Sequence, residues 1–259
     1  MRDLRTCWDE YRERIESAPR VCLVAAFDGV LAPYVDDPDE SCILPRARTA
    51  LRRMARAARC TVTVASGRTL GDLHRRVGLE AVWYIGLHGA EMRSPDGEEW
   101  RFYDRTDIEF MKGIHATLDS ELSLVRGARV ERSGPAVVVH CRGVADDQVP
   151  RLTKKFLGVV ARHPQLMIAL GHETFETRPR TGSDLGLALR HLRRRGLARA
   201  LFLYFGDPCV NRQLFSAIRA YGMGVSVGEG GPGDYHLPDA RAVAHVLTKT
   251  AALLAPPSS

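Results

Sequence analysis

Residues 21–27, Val-Cys-Leu-Val-Ala-Ala-Phe, form an unbroken apolar run that stops at Asp28-Gly29. A short, wholly apolar segment closed by a turn dipeptide predicts a central strand of a parallel sheet, covered on both faces. In open α/β sheets ligands bind beyond the carboxyl ends of the strands, which puts Asp28 where chemistry is expected. An Asp-Gly turn also serves as a plain chain reversal.

The rest of the chain extends this pattern. Leu4, Trp8, Tyr11 and Ile15 have helical spacing over residues 1–17, and Pro19 ends that helix. Pro45 opens a helix to about residue 58, with Ala47, Leu51, Met54 and Ala58 on one face. Strands over 60–65 and 82–86 flank a helix at 70–77. Such alternation predicts a doubly wound parallel sheet. From Glu91 the pattern changes. A hairpin turning at Pro95-Asp96-Gly97 is followed by a helix over 107–122 and strands over 128–132 and 136–142. A helix over 146–162 and strands near 166–170 and 174–178 complete what reads as an inserted α/β cap. The parallel pattern resumes with a helix at 183–194, a strand at 200–205, a helix at 211–221, a strand at 222–227 and a last helix at 240–254. The predicted domains are a core of residues 1–105 with 179–259 and a cap of residues 106–178.

Composition narrows the function classes. The chain has 259 residues, 45% of them hydrophobic, enough for a well-buried core. Its net charge of +6 arises from 37 basic and 31 acidic residues. Runs such as Arg190–Arg195 suit the C-terminal end of a helix, and no basic cluster is interleaved with aromatics, which argues against nucleic acid. The six cysteines show no metal-ligand spacing. Cys22 and Cys60 fall in predicted core strands as free thiols, and residues 1–20 carry no apolar signal segment. No stretch approaches the length of a membrane span. These features predict a cytoplasmic protein.

Several windows resemble one family. Residues 21–33, Val35–Glu40, Ala65-Ser66-Gly67-Arg68-Thr69-Leu70-Gly71-Asp72-Leu73, and Trp83 through Leu87-His88-Gly89-Ala90-Glu91 carry the resemblance in order. Weaker matches follow at Val139-His140-Cys141-Arg142, Glu176-Thr177-Arg178-Pro179, Gly186-Leu187-Ala188-Leu189 and Tyr204-Phe205-Gly206-Asp207. Together they resemble the trehalose-6-phosphate phosphatases of the haloacid dehalogenase superfamily. That resemblance implies a Rossmann-like parallel core with an inserted α/β cap. It also implies a five-part chemistry: an aspartate nucleophile, a second aspartate as general acid two residues on, a Ser or Thr holding the phosphate, a lysine, and acids binding Mg²⁺.

The chain departs from that pattern in three places. The family's first motif typically reads Asp-Phe-Asp-Gly-Thr-Leu-Ala-Pro, and Ala26 stands at the nucleophile. Asp28 keeps the general-acid position. The lysine aligns with Leu185, and the chain's four lysines (Lys112, Lys154, Lys155 and Lys249) lie elsewhere. In the metal motif Asp207 remains, followed by Pro208, Asn211, Arg212 and Gln213 where acids are expected. Tight Mg²⁺ binding is therefore not expected.

Implied ligand-binding residues are Ser66, Gly67, Arg68, His88, Glu91, Glu131, His140, Arg142, Glu176 and Arg178. Simpler roles stand beside these. Ser66 could cap a helix, Glu176 and Arg178 could form a surface ion pair, and His88 and His140 could be buried imidazoles. Cap lysines expected from the family align with Ser133 and His172. Three readings follow. One is a non-catalytic sugar-phosphate-binding or regulatory homologue, with trehalose 6-phosphate as ligand and a protein partner in trehalose synthesis. Another is a phosphatase with rearranged chemistry, and the third is a structural protein with a vestigial cleft.

Overall fold

The computed structural model describes residues 2–254 apart from 36, 172, 181–184 and 209–211. In chain order the elements begin with β1 (Arg2–Asp3), α1 (Trp8–Ser17), β2 (Val21–Ala26), α2 (Pro45–Ala55), β3 (Cys60–Ala65) and α3 (Leu70–Val77). Next come β4 (Trp83–Gly86), β5 (Glu91–Arg93), β6 (Glu99–Arg101), α4 (Arg105–Leu122), β7 (Arg129–Ser133) and β8 (Ala136–His140). They continue with α5 (Val149–Val160), β9 (Leu166–Gly171), β10 (Thr174–Pro179), α6 (Leu185–Leu192), β11 (Leu201–Gly206), α7 (Arg212–Ile218), β12 (Gly222–Val227), β13 (Tyr235–Leu237) and α8 (Ala240–Leu254). The chain divides into two compact units, Met1–Trp100 with Leu185–Ser259, and Arg101–Asp184.

The first unit is built on a sheet of order β1-β13-β12-β11-β2-β3-β4-β5-β6. Pairing is parallel from β1 to β4 and turns antiparallel at β5. The hairpin read from the sequence thus prolongs the main sheet. β2 lies near the centre, and the first five of its six residues are buried. Leu23, Ala25, Val62, Val64, Leu203, Phe205 and Val225 pack into one cluster with buried residues of α1, α2, α3 and α8. On the opposite side Tyr204 meets Phe215 of α7 edge-on at 4.8 Å. This two-sided cover is why β2 and β11 read as continuous apolar runs.

The second unit is a four-stranded antiparallel sheet of order β7-β8-β10-β9. Val137 and Val139 cluster with Met111, Ile114, Leu118, Leu152 and Phe156 of α4 and α5. Strand alternation then places Val138, with Glu131 and Glu176 opposite it, on the face turned away from those helices.

Short elements depart most from the sequence reading. Residues 2–3 are a strand and α1 starts only at Trp8, so the predicted N-terminal helix was one strand and a turn too long. The three-residue β13 had no readable signal. Cys22 and Cys60 both lie in core strands as predicted, Cys22 fully buried and Cys60 half-buried against the core cluster. The helix predicted at 183–194 runs as α6 and passes into a distorted turn over Arg193–Leu197, where Gly196 has φ +98°; residue 183 lies outside the described residues. α5 is shorter than predicted because Pro150 sits in its first turn. α4 begins earlier than predicted, since Asp104 accepts from Asp107 N while the Asp107 carboxylate accepts from Asp104 N. This reciprocal cap predicts that Asp104→Ala lowers stability by about 1 kcal/mol, to be read as a shifted urea midpoint with unchanged slope. Among the described residues no helix is long and apolar enough to cross a membrane.

Candidate functional site

The carboxyl ends of β2 and β3 lie side by side, with Ala26 opposite Ala65 in register. The chain leaves β2 through Phe27 and Asp28, and Gly29 takes φ +73°, a left-handed turn that glycine adopts without strain. A Cβ on Gly29 would also lie 2.6 Å from the Tyr34 ring. β3 ends at Ala65, and the next three residues, Ser66-Gly67-Arg68, form the loop into α3. Thr69 caps that helix by accepting from Asp72 N.

Asp28 is the hub of this corner. Ser66 Oγ donates to its Oδ2 at 3.1 Å and Ser41 Oγ to its Oδ1 at 3.4 Å. Arg68 Nε reaches both oxygens at 3.2 Å, and Nη2 donates to Oδ1 at 2.9 Å. Arg68 Nη1 donates to Asp72 Oδ2 at 3.1 Å, and Arg76 Nε donates to the same oxygen at 2.7 Å. Arg76 then reaches Asp39 Oδ1 at 3.1 Å and the carbonyls of Asp39 and Ser41 at 2.9 Å. The result is a chain of alternating charges, Asp28–Arg68–Asp72–Arg76–Asp39, braced against the Phe27 ring, 5.6 Å from the Arg68 guanidinium. Burial works against the Arg68 charge, but the bonds to Asp28 and Asp72 outweigh it and raise its pKa. Burial likewise disfavours the Asp72 carboxylate, and Arg76 and Arg68 still hold its pKa below the usual range.

The turn after β4 is clamped onto the same loop. Leu87 N donates to Arg68 O at 2.9 Å and His88 N to Ser66 O at 3.0 Å. These bonds hold Leu87 and His88 at φ +48° and +54°, strained conformations for residues with side chains. The His88 ring lies against Gly67, where a Cβ would come within 2.3 Å of Nε2. Glu91 is only 8% exposed, and its Oε2 accepts from Leu70 N at 3.2 Å, placing its charge at the start of α3.

Asp28, Ser66, Gly67, Arg68, His88 and Glu91 therefore form one neighbourhood in the first unit. Tyr34, Ser41, Asp72 and Arg76 join it; of these only Asp72 lies in a window that carries the family resemblance, and none was given a role from the sequence. Arg68, just before α3, and Asp72 and Arg76 within it follow one another at four-residue intervals, a signal that was legible. Nothing local to Tyr34 or Ser41 announces their roles.

The donors left for a metal are few. Asp207 follows the end of β11, and Tyr34 Oη donates to its Oδ2 at 2.6 Å. Position 26 offers a methyl group, Pro208 is buried, and Leu185 is 6% exposed in the core. Among the described residues there is no group of three His, Cys, Asp or Glu placed to hold a metal. Mg²⁺ requires about six oxygens in near-octahedral geometry. One carboxylate tied to a phenol and another tied to a guanidinium do not fit it. Cys209 and Asn211 lie outside the described residues, as does His172.

In the second unit the predicted residues pair with one another. His140 Nε2 and Glu131 Oε2 are 3.0 Å apart, and Arg142 pairs with Glu173. Arg178 Nη1 lies 2.6 Å from Glu176 Oε1, and these side chains are only 7% and 13% exposed. Arg178 is buried and Glu176 largely so, which corrects their reading as a surface ion pair.

Comparison with known proteins agrees with this architecture. The family model for trehalose-phosphatase matches residues 24–234. A trehalose-phosphate phosphatase of Mycobacterium avium is 37% identical over 198 residues, covering 74% of this chain and 50% of the relative. One from Mycobacterium tuberculosis is 34% identical over 217 residues, covering 80% of this chain and 54% of the relative. The chain thus spans about half the length of the curated relatives it matches. Among solved structures, the C-terminal domain of the C. albicans trehalose-6-phosphate phosphatase superposes with a TM-score of 0.84 at 19% identity, covering 94% of this chain and 96% of that one. The C-terminal domain of the Candida albicans trehalose synthase regulatory protein does so with a TM-score of 0.73 at 11% identity, covering 95% and 97%. These two likenesses, and that of a haloacid dehalogenase-like hydrolase from B. subtilis (TM-score 0.59 at 17% identity, covering 87% and 98%), are likenesses of fold. By the extent of the family match and the identity of its relatives, the chain belongs to the trehalose-phosphatase family.

Proposed function

We propose that this chain binds a sugar phosphate, with trehalose 6-phosphate as the first candidate, and does not hydrolyse it. One observation carries the reading: the strand end that would present a nucleophile presents Ala26, while the carboxylate two residues on is consumed by Ser66 and Arg68. A methyl group neither attacks phosphorus nor ligates a cation. The poor fit of the donor set to Mg²⁺ supports the same reading. Retention of Ser66, Arg68 and the clamped His88 turn favours ligand binding over a purely structural role. In the second unit, Glu131, Glu176 and Arg178 share the sheet face away from the helices and offer charged partners for sugar hydroxyls. A binding protein of this kind would serve as a sensor or partner subunit beside the enzymes that make trehalose 6-phosphate. The five described cysteines are all free thiols, which supports a reducing, cytoplasmic setting.

Calorimetry and thermal shift without Mg²⁺ test the reading. Trehalose 6-phosphate is expected to bind more tightly than trehalose, raising stability by about 2.7 kcal/mol at a hundred times Kd. Ser66→Ala is expected to weaken that binding. Absence of binding by trehalose 6-phosphate, trehalose and inorganic phosphate alike would overturn it.

A further inference from the structure

The donors at the ends of β2 and β3 converge on an anion that belongs to the protein. Asp28 accepts from Ser66 Oγ, Ser41 Oγ and two nitrogens of Arg68. Ser66 Oγ is engaged on its other side as well, accepting from Arg68 N at 3.1 Å. Arg68 is held from behind by Asp72, and its side chain is only 16% exposed. It therefore has little freedom to swing toward a second anion while keeping the first. The geometry is that of an occupied oxyanion cradle whose occupant is the Asp28 carboxylate.

An incoming phosphoryl group must displace this carboxylate or share its donors with it. Sharing places two anions against one guanidinium in a part-buried corner, where like charges repel more strongly than in bulk water. Displacement breaks the hydrogen bonds from four donor atoms to a charged group, which are stronger than neutral ones. Either route subtracts from the affinity of any ligand whose anion enters here. We propose that Asp28 acts as a built-in competitor that sets the oxyanion affinity of this cradle. This deepens the sugar-phosphate reading and rests on it. Because the same internal group is displaced in each case, every phosphoryl ligand is handicapped by the same factor, and an uncharged sugar is not handicapped at all.

The test is calorimetric titration of inorganic phosphate, trehalose 6-phosphate and trehalose into wild type, Asp28→Asn and Asp28→Asn/Ser66→Ala. Asparagine keeps the shape of the side chain and removes its charge. The Kd values of phosphate and of trehalose 6-phosphate are each expected to fall about tenfold or more in Asp28→Asn, by a common factor. The Kd of trehalose is expected to stay unchanged, and the Ser66→Ala change is expected to cancel much of the gain. Asp28→Ala, with thermal melts of every variant, supplies a second substitution should the first fold poorly. Equal or weaker phosphate binding in both Asp28 variants would overturn the proposal. If trehalose 6-phosphate bound wild type and variants equally, the competitor alone would fall and the binding function would stand. If no ligand bound any form, both would fall.

Discussion

Purified protein given trehalose 6-phosphate with Mg²⁺, Mn²⁺ or Co²⁺ is expected to release no phosphate above the uncatalysed background. Hydrolysis of a phosphate monoester is among the slowest uncatalysed reactions, and enzymes accelerate such chemistry by up to about 10²¹-fold. Neither the Ala26 methyl, nor Leu185 at 6% exposure, nor Asp207 bonded to Tyr34 can supply a comparable term. Ala26→Asp alone is expected to leave the protein inactive, because it restores a nucleophile without the lysine or the metal acids. A combined Ala26→Asp, Leu185→Lys, Pro208→Asp and Asn211→Asp variant is expected to exceed the single one. Phosphate release by wild type at an ordinary enzymatic rate, roughly 1–10³ per second, would show that another group had taken over the attack. Robust turnover by Ala26→Asp would show instead that the lysine position and the metal positions matter little.

Replacing Arg178 by alanine is expected to cost about 3–5 kcal/mol of stability, the second large effect. The Arg178–Glu176 pair is 2.6 Å apart with both side chains almost wholly buried, so the substitution leaves a carboxylate in the interior without this guanidinium. Glu176→Leu/Arg178→Met removes both charges and is expected to recover most of the loss, since well-packed apolar pairs often match buried ion pairs. Urea unfolding of the two variants decides the matter. A loss below about 1 kcal/mol for Arg178→Ala is the value of an exposed pair and would show that the pair contributes little. Measured on the same proteins, trehalose 6-phosphate affinity separates the structural role of Arg178 from its proposed contact with ligand.

Much of the fold was legible because burial on both faces imposes a continuous apolar run on a parallel strand. β2 and β11 carry that signature, and α2, α3 and α8 carry the matching helical spacing. The short strands β1 and β13 carry none, since a two- or three-residue strand is defined by its neighbour more than by its composition. α4 shows how a small signal was passed over: Asp104 and Asp107 are spaced for a capping box, with aspartate where glutamate is usual.

The candidate site divides along the same line. By itself the sequence placed Asp28 and Ser66 at adjacent strand ends, and it determined that position 26 carries a methyl group and position 185 an isobutyl one. Covalent identity is enough to say that position 26 offers no nucleophile, because no packing arrangement turns alanine into one. What only the tertiary structure decided is where the remaining charges are spent. Ser66 and Arg68, 38 and 40 residues along the chain from Asp28, turn their donors onto its carboxylate. Tyr34, 173 residues from Asp207, closes on its carboxylate. Such pairings depend on which loops the sheet order brings together, and on the rule that a polar group drawn out of water finds a partner wherever the fold puts one within reach.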